Sequence, residues 1–431
     1  MRDTLLAVVL AYFFIRTLSQ PWIGILTWTM LSIGNVHQLV YVLNSMPVAA
    51  TAVVVVFLGL LFSREGREHR SLPMTAETVV FLLFIAWMCL TQIFAFDSSD
   101  SFEQWKKVMK IDFMIVMAMV ILHSRQHIVA LAWVLVVSIG YYGLKGGIFT
   151  ITTGGTYRVW GPVNTYIEGN NELALALVVI IPLIRFVQLT VSSRWLKHGL
   201  SMLMGLCAIA AIGSQSRGAF LAILAMGLLL WWRGKGKFWG AVLFIAFGVA
   251  LFSFMPETWH ARMGTIQAYD QDTSAMGRLN AWGMAWNLAS HNFFGGGYSI
   301  ANLEVFSRYA PDPTNALAAH SIYFQILGEH GFVGLFLYLL MWVLVWRTAG
   351  RLRIHGKLQP QTLWLADLGT LCQVSLVGYA VGGAFLSLAY FDLPYNILIL
   401  VVLGRSWMDS KAWLTEPTFE SPLRAAVGLR T

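Results

Sequence analysis

Charge is what this sequence has least of: 12% of its 431 residues are Asp, Glu, Lys or Arg, against roughly 25% in an ordinary soluble domain, while 57% are hydrophobic. That shortage excludes a soluble globular protein and indicates a polytopic membrane protein. Cysteine is also scarce. Cys89, Cys207 and Cys372 all lie inside apolar runs, and with neither a CxxC pair nor a Cys/His cluster, a zinc site and a disulfide framework are both unsupported. There is no HExxH helix motif and no GxSxG elbow, so zinc proteolysis and serine hydrolysis have no footing. No repeat of fixed period and no low-complexity tract is present. The net charge of +8 reports membrane topology before it reports nucleic acid, and no nucleic-acid partner is expected.

What is present is a series of apolar runs of spanning length. A crossing helix needs about 20 mostly apolar residues. Candidate spans are 46–62, 76–95, 108–123, 126–144, 171–190, 198–213, 218–232, 237–254, 330–347, 362–382 and 386–404. Ahead of them, Thr4 to Leu18 and Trp22 to Ile33 meet at Ser19-Gln20-Pro21, as two short crossings or one bent unit. The basic start without a small-residue cleavage site reads as an uncleaved anchor. Lys and Arg cluster in Arg64 to Arg70, Arg233 to Lys237, Arg347 to Lys357 and the tail from Arg405, and such clusters stay cytoplasmic. Counting the opening pair once puts all four on one side. The expected fold is therefore all-α, with about 12 spans and a long outer loop containing short helices. The corresponding divisions are 1–254 (N-terminal spans), 255–320 (the outer loop), 321–405 (C-terminal spans) and 406–431 (a cytoplasmic tail).

The outer loop concentrates polar chemistry. Arginine should be scarce on that face, yet Arg158, Arg217, Arg262, Arg278 and Arg308 fall there or at its border, with few carboxylates to pair them. A bound polyanion would account for the excess. Segment 273–290 has helical spacing of Leu279, Trp282 and Trp286, and would present Arg278. Ser99 to Lys110 has the pattern of an interfacial amphipathic helix. Gly295-Gly296-Gly297 resembles a phosphate loop only superficially, and Gly328, Gly331 and Gly334 read as helix-packing positions. Asp270-Gln-Asp272 reads as a solvated turn rather than half of a metal site.

Two motifs in order carry a resemblance. Arg217-Gly-Ala-Phe-Leu221 fits an arginine-three residues-leucine pattern; His320-Ser321, nine residues, Gly331, two residues, Gly334 fits a second. Together they resemble the O-antigen ligase and polymerase superfamily, integral membrane enzymes that move glycans from an undecaprenyl-diphosphate carrier. The histidine signature is similar to that of the ligases, which implies a lipid A-core acceptor, the periplasmic face of the bacterial inner membrane, and inverting transfer without a metal or other cofactor. Gly161-Pro162 through Gly169-Asn170-Asn171-Glu172 resembles exosortase-associated ligases, so a polymerase or a protein O-oligosaccharyltransferase remains open. A transporter of lipid-linked sugars is the reading from another class, although no inverted symmetry between halves is evident.

The residue chemistry fits that resemblance. Arginine forks donate paired hydrogen bonds to phosphate oxygens, which makes Arg217 the first candidate for the diphosphate, with Arg158 and Arg278 beside it. Histidine titrates near neutral pH. His320, where the loop re-enters the membrane, is the candidate catalytic base. Expected partners are the lipid-linked glycan donor, the core acceptor and membrane lipids.

Overall fold

Apolar runs become helices here because a chain in lipid must satisfy its own backbone, and short polar caps decide where each helix starts. The computed structural model describes residues 2–40, 43, 46–65, 70–234, 273–416 and a few scattered positions between 235 and 272. Most of the span expected at 237–254, with Arg262 and the Asp270–Asp272 pair, lies outside the described residues.

Among those described, the elements are α-helices and short 3-10 turns, with no strand. The helices are α1 (Arg2–Ser19), α2 (Pro21–Gly34), α3 (Val48–Phe62), α4 (Ala76–Ile93), α5 (Ser98–Ile121), α6 (Arg125–Thr152), α7 (Asn170–Thr190), α8 (Arg194–Gly213), α9 (Arg217–Arg233), α10 (Thr273–His291), α11 (Leu303–Tyr309), α12 (Ile322–His355), α13 (Leu363–Gly383) and α14 (Asp392–Asp409). Side chains of Thr75, Asp97, Ser124, Ser193, Ser216 and Asn302 each accept a backbone N–H in the first turn of the helix that follows. Among the described residues, six segments are long and apolar enough to cross a membrane: Ala76–Ile93, Arg125–Thr152, Asn170–Thr190, Arg194–Gly213, Ile322–His355 and Pro360–Gly383. This is a multi-pass membrane protein.

The core is continuous from Leu10 to Trp407. α7, α13 and α14 are largely enclosed by it; every residue of α14 from Asp392 to Gly404 is buried. Around them α6 packs on α7 and α8, and α13 packs on α7, α9 and α12. A smaller apolar cluster of Ala281, Met284, Leu288, Ile300, Val305 and Phe306 ties α10 to α11. The helix expected over 273–290 is present as α10, and it packs on α12.

Two expectations need correction. Ser99 to Lys110 is not a separate interfacial helix: it is the first half of α5, since no Gly or Pro stands before the apolar run from Ile111 and nothing stops propagation. In the Gly328, Gly331, Gly334 series, Gly328 packs on Ala285 of α10 and Gly334 beside Trp87 of α4 as helix-packing positions, but Gly331 does not. At Gly331 the backbone has φ 67° and ψ −172°, a conformation essentially reserved for glycine, and it breaks α12 into two parts. The carbonyls at the break find donors elsewhere: Gly328 O accepts from Gly296 N–H at 3.0 Å, Glu329 O from Gly297 N–H at 3.0 Å, and His330 O from Trp87 Nε1–H at 2.9 Å. The Gly295-Gly296-Gly297 run is thus a strap against the broken helix. Two of its N–H groups are used there, which removes the phosphate-loop analogy.

Candidate functional site

The site is assembled at the end of the bundle where α7, α9 and α12 all begin. α9 starts after a tight turn in which Gln215 takes φ 60° and Ser216 caps Ala219 N–H at 3.3 Å. Half-buried Arg217 is the first residue of the helix, so its neighbours include the backbone N–H groups of a helix start, a favourable setting for an anion. The turn is held from two sides. Arg158 Nε donates to Gln215 Oε1 at 3.3 Å, and Asn170 Nδ2, in the first turn of α7, donates to Ser214 O at 2.7 Å. Gln215 also donates to Gly155 O at 3.3 Å, closing the turn onto the 153–169 connection.

His320 approaches from the other side. It sits two residues before α12 with φ 42°, and its backbone N–H donates to Ser387 Oγ at 2.9 Å. Ser387 belongs to the 384–391 connection, and the same connection meets α9: a side chain added at Gly218 would touch Phe385. One connection therefore touches both the residue after Arg217 and the backbone of His320. Arg278 lies on α10, whose Trp282 fixes the local geometry by donating Nε1–H to Ala319 O at 2.7 Å and stacking on Phe324 with centroids 4.9 Å apart. Arg278 and Trp282 are one turn apart on one face. The Arg278 guanidinium acts electrostatically on both His320 and Glu172 of α7. Burial, and secondarily the Arg278 charge, hold the His320 imidazole below its ordinary 6.5. A larger share of it is therefore neutral and able to accept a proton near pH 7.

The four candidate site residues are thus at one end of the bundle, Arg158 with the turn before Arg217, and Arg278 with His320. Arg308 is not part of this group. It pairs with Glu304 at 2.7 Å across one exposed turn of α11, the ordinary role of a surface arginine. Among the described residues no group of three or more His, Cys, Asp or Glu is arranged to hold a metal ion.

Sequence reasoning missed the support beneath this rim. His330 is fully buried, with Nδ1 at 2.7 Å from Thr91 Oγ1 and Nε2 at 2.8 Å from Tyr390 OH. Tyr390 donates in turn to Glu329 Oε2, and Gln325 Oε1 accepts from Ala389 N–H at 3.3 Å. With Tyr390 donating to Glu329, the network is satisfied if His330 donates from Nε2 and accepts at Nδ1. These bonds tie the first part of α12 to the 384–391 connection that carries Ser387. The only signal in the sequence was adjacent Glu329 and His330 inside an apolar run, where ionisable side chains need partners.

Comparison with known families gives two matches. Residues 1–191 match a model described as a family of unknown function (DUF5935). No curated protein matches the chain. Residues 202–339, which contain Arg217, Arg278 and His320, match the model described as O-Antigen ligase, and this match supports an assignment to the O-antigen ligase and polymerase superfamily.

Proposed function

We propose that this protein is an O-antigen ligase, transferring a glycan from undecaprenyl diphosphate to the lipid A-core oligosaccharide at the periplasmic face of the inner membrane. The observation that carries the reading is the convergence of Arg158, Arg217 and Arg278 with His320 at one end of the helix bundle, within a chain that matches the O-Antigen ligase model. The topology that goes with it has about 12 spans, a periplasmic loop at 255–320 and a cytoplasmic tail from 406.

In this mechanism Arg217, helped by Arg158 and Arg278, holds the diphosphate and stabilises the charge that grows there. His320 removes the proton from one acceptor hydroxyl as that oxygen attacks the anomeric carbon. The anomeric carbon's bond to the diphosphate oxygen breaks from the opposite face, its electron pair leaves with undecaprenyl diphosphate, and the anomeric configuration inverts. No metal takes part. The lowered basicity of His320 supports the base role, because the neutral ring is the form that accepts a proton.

Reconstitution with defined donor and acceptor tests the reading. Label should pass from the carrier to core lipid. Label on a growing glycan would make the protein a polymerase, label on a protein an oligosaccharyltransferase, and movement of donor lipid across vesicles without transfer would make it a transporter.

A further inference from the structure

Two helices that begin at the rim end together at the far end of the bundle. α9 runs from Arg217 to Arg233, and α12 runs past its break to His355. There the Arg233 guanidinium lies over the Trp346 ring, 5.5 Å from its centroid, and donates to Gln373 Oε1 at 2.9 Å. Gln373 donates in turn to the Trp346 carbonyl at 2.9 Å, so Arg233 is fixed in place rather than waving in solvent. Beside it opens a cleft of about 320 Å³ lined by Arg233, Arg347, Arg351, Arg353, Trp346 and Gln373 among others.

The cleft has no acidic lining residue, and among the described residues none of its four arginines forms an ion pair. Arg233 and Arg353 are close enough to repel one another. Arg353 Nε is shielded from water without a hydrogen-bond partner among the described residues. Basic residues placed only to orient a membrane protein would spread into solvent. Convergence of like charges from two helices into one concavity is unfavourable until an anion fills it.

The flank of the cleft indicates where that anion comes from. On α12, Phe336, Leu339 and Val343 are exposed at three- and four-residue spacing, and this apolar stripe leads to Arg347, Gly350 and exposed Ile354. A free phosphate has no use for such a stripe; an acyl chain does. Trp346 at the junction is the side chain expected where hydrocarbon meets headgroups.

We propose that this cleft binds the phosphate of an anionic phospholipid, gripped by the Arg233 and Arg353 guanidiniums, with its acyl chains along the α12 stripe. The site lies at the opposite end from the rim and is independent of the glycan-transfer reading.

The test is native mass spectrometry of the full-length protein in neutral detergent, titrated with dioleoyl phosphatidylglycerol, dioleoyl phosphatidylcholine or inorganic phosphate. Phosphatidylglycerol should be retained in preference to phosphatidylcholine. Arg233→Gln and Arg353→Gln should each weaken its retention about fivefold, the change expected for one basic side chain beside an anionic headgroup. Arg194→Gln, an exposed arginine at the start of α8, should leave retention unchanged. If the Arg233 or Arg353 variant fails to elute as a folded species, exposed Arg347→Gln gives the same reading. Equal retention of the two lipids, or undiminished phosphatidylglycerol retention in the cleft variants, overturns the proposal. Displacement of the lipid by an equal concentration of inorganic phosphate overturns it too, by assigning the cleft to a soluble anion.

Discussion

Replacing Gly331 with alanine should damage this protein more than any other single methyl group added to α12. Three effects combine. The backbone at φ 67° and ψ −172° costs a residue with a Cβ about 1–3 kcal/mol. The new methyl would fall on the carbonyl oxygen of Phe293, inside van der Waals contact, and because that neighbour is backbone it cannot rotate away. Relief requires the 293–297 strap to move, which loosens the bonds that Gly296 and Gly297 donate at 3.0 Å and threatens the Trp87 bond at 2.9 Å. Each is worth about 1 kcal/mol net, so the expected loss is about 3–5 kcal/mol. Gly199→Ala is the matched control, since Gly199 is inside α8 with open space around it, and the change should raise stability by up to about 1 kcal/mol. Equilibrium unfolding in mixed micelles, followed by circular dichroism, measures both. Similar midpoints for the two variants would refute the account of the break.

The His320 imidazole sits below 6.5, first through burial and then through the Arg278 charge, so its base form persists further into acid than a free histidine's. Arg278→Gln should remove the second cause and move the acidic limb of the pH–rate profile to higher pH, though still short of 6.5 because burial remains; an unmoved limb would sink the pairing. Glu329→Gln keeps an acceptor for the Tyr390 hydroxyl and should fold nearly as well as the parent. Glu329→Leu strands that hydroxyl and should cost about 1–3 kcal/mol in the same unfolding measurement, and equal stability of the two would contradict the network. Arg217→Ala should lower transfer by about 10²-fold or more, as expected for one donor to a developing anion. Transfer should be unaffected by a chelator, and loss of rate that divalent cation restores would reject the metal-independent scheme.

Much of the frame was legible because hydropathy acts locally. Runs such as 171–190 and 198–213 match α7 and α8 closely, and the Leu279, Trp282, Trp286 spacing announced α10. The start of α9 at Arg217 and the entry of α12 after His320 could be placed from polar residues at the ends of apolar runs. The break at Gly331 could not, because what stabilises it lies far away in sequence, in Trp87 and the Gly295-Gly296-Gly297 strap. The same reason hid Gln215 and Ser387. Their roles depend on Arg158 and on the His320 backbone, and no spacing within one segment encodes such a meeting. Ser99 to Lys110 was misassigned for the opposite reason: its amphipathic pattern was real, but an uncapped junction with Ile111 let the helix continue.

The central claim is that His320 and the arginines around it act together on a lipid-linked donor. It is tested most directly by single-turnover transfer in proteoliposomes, using labelled glycan on undecaprenyl diphosphate with lipid A-core as acceptor. Wild-type protein should move label to the core. His320→Ala should retain bound donor yet transfer none, while remaining folded by the unfolding assay. Transfer by His320→Ala at the wild-type rate would contradict the account.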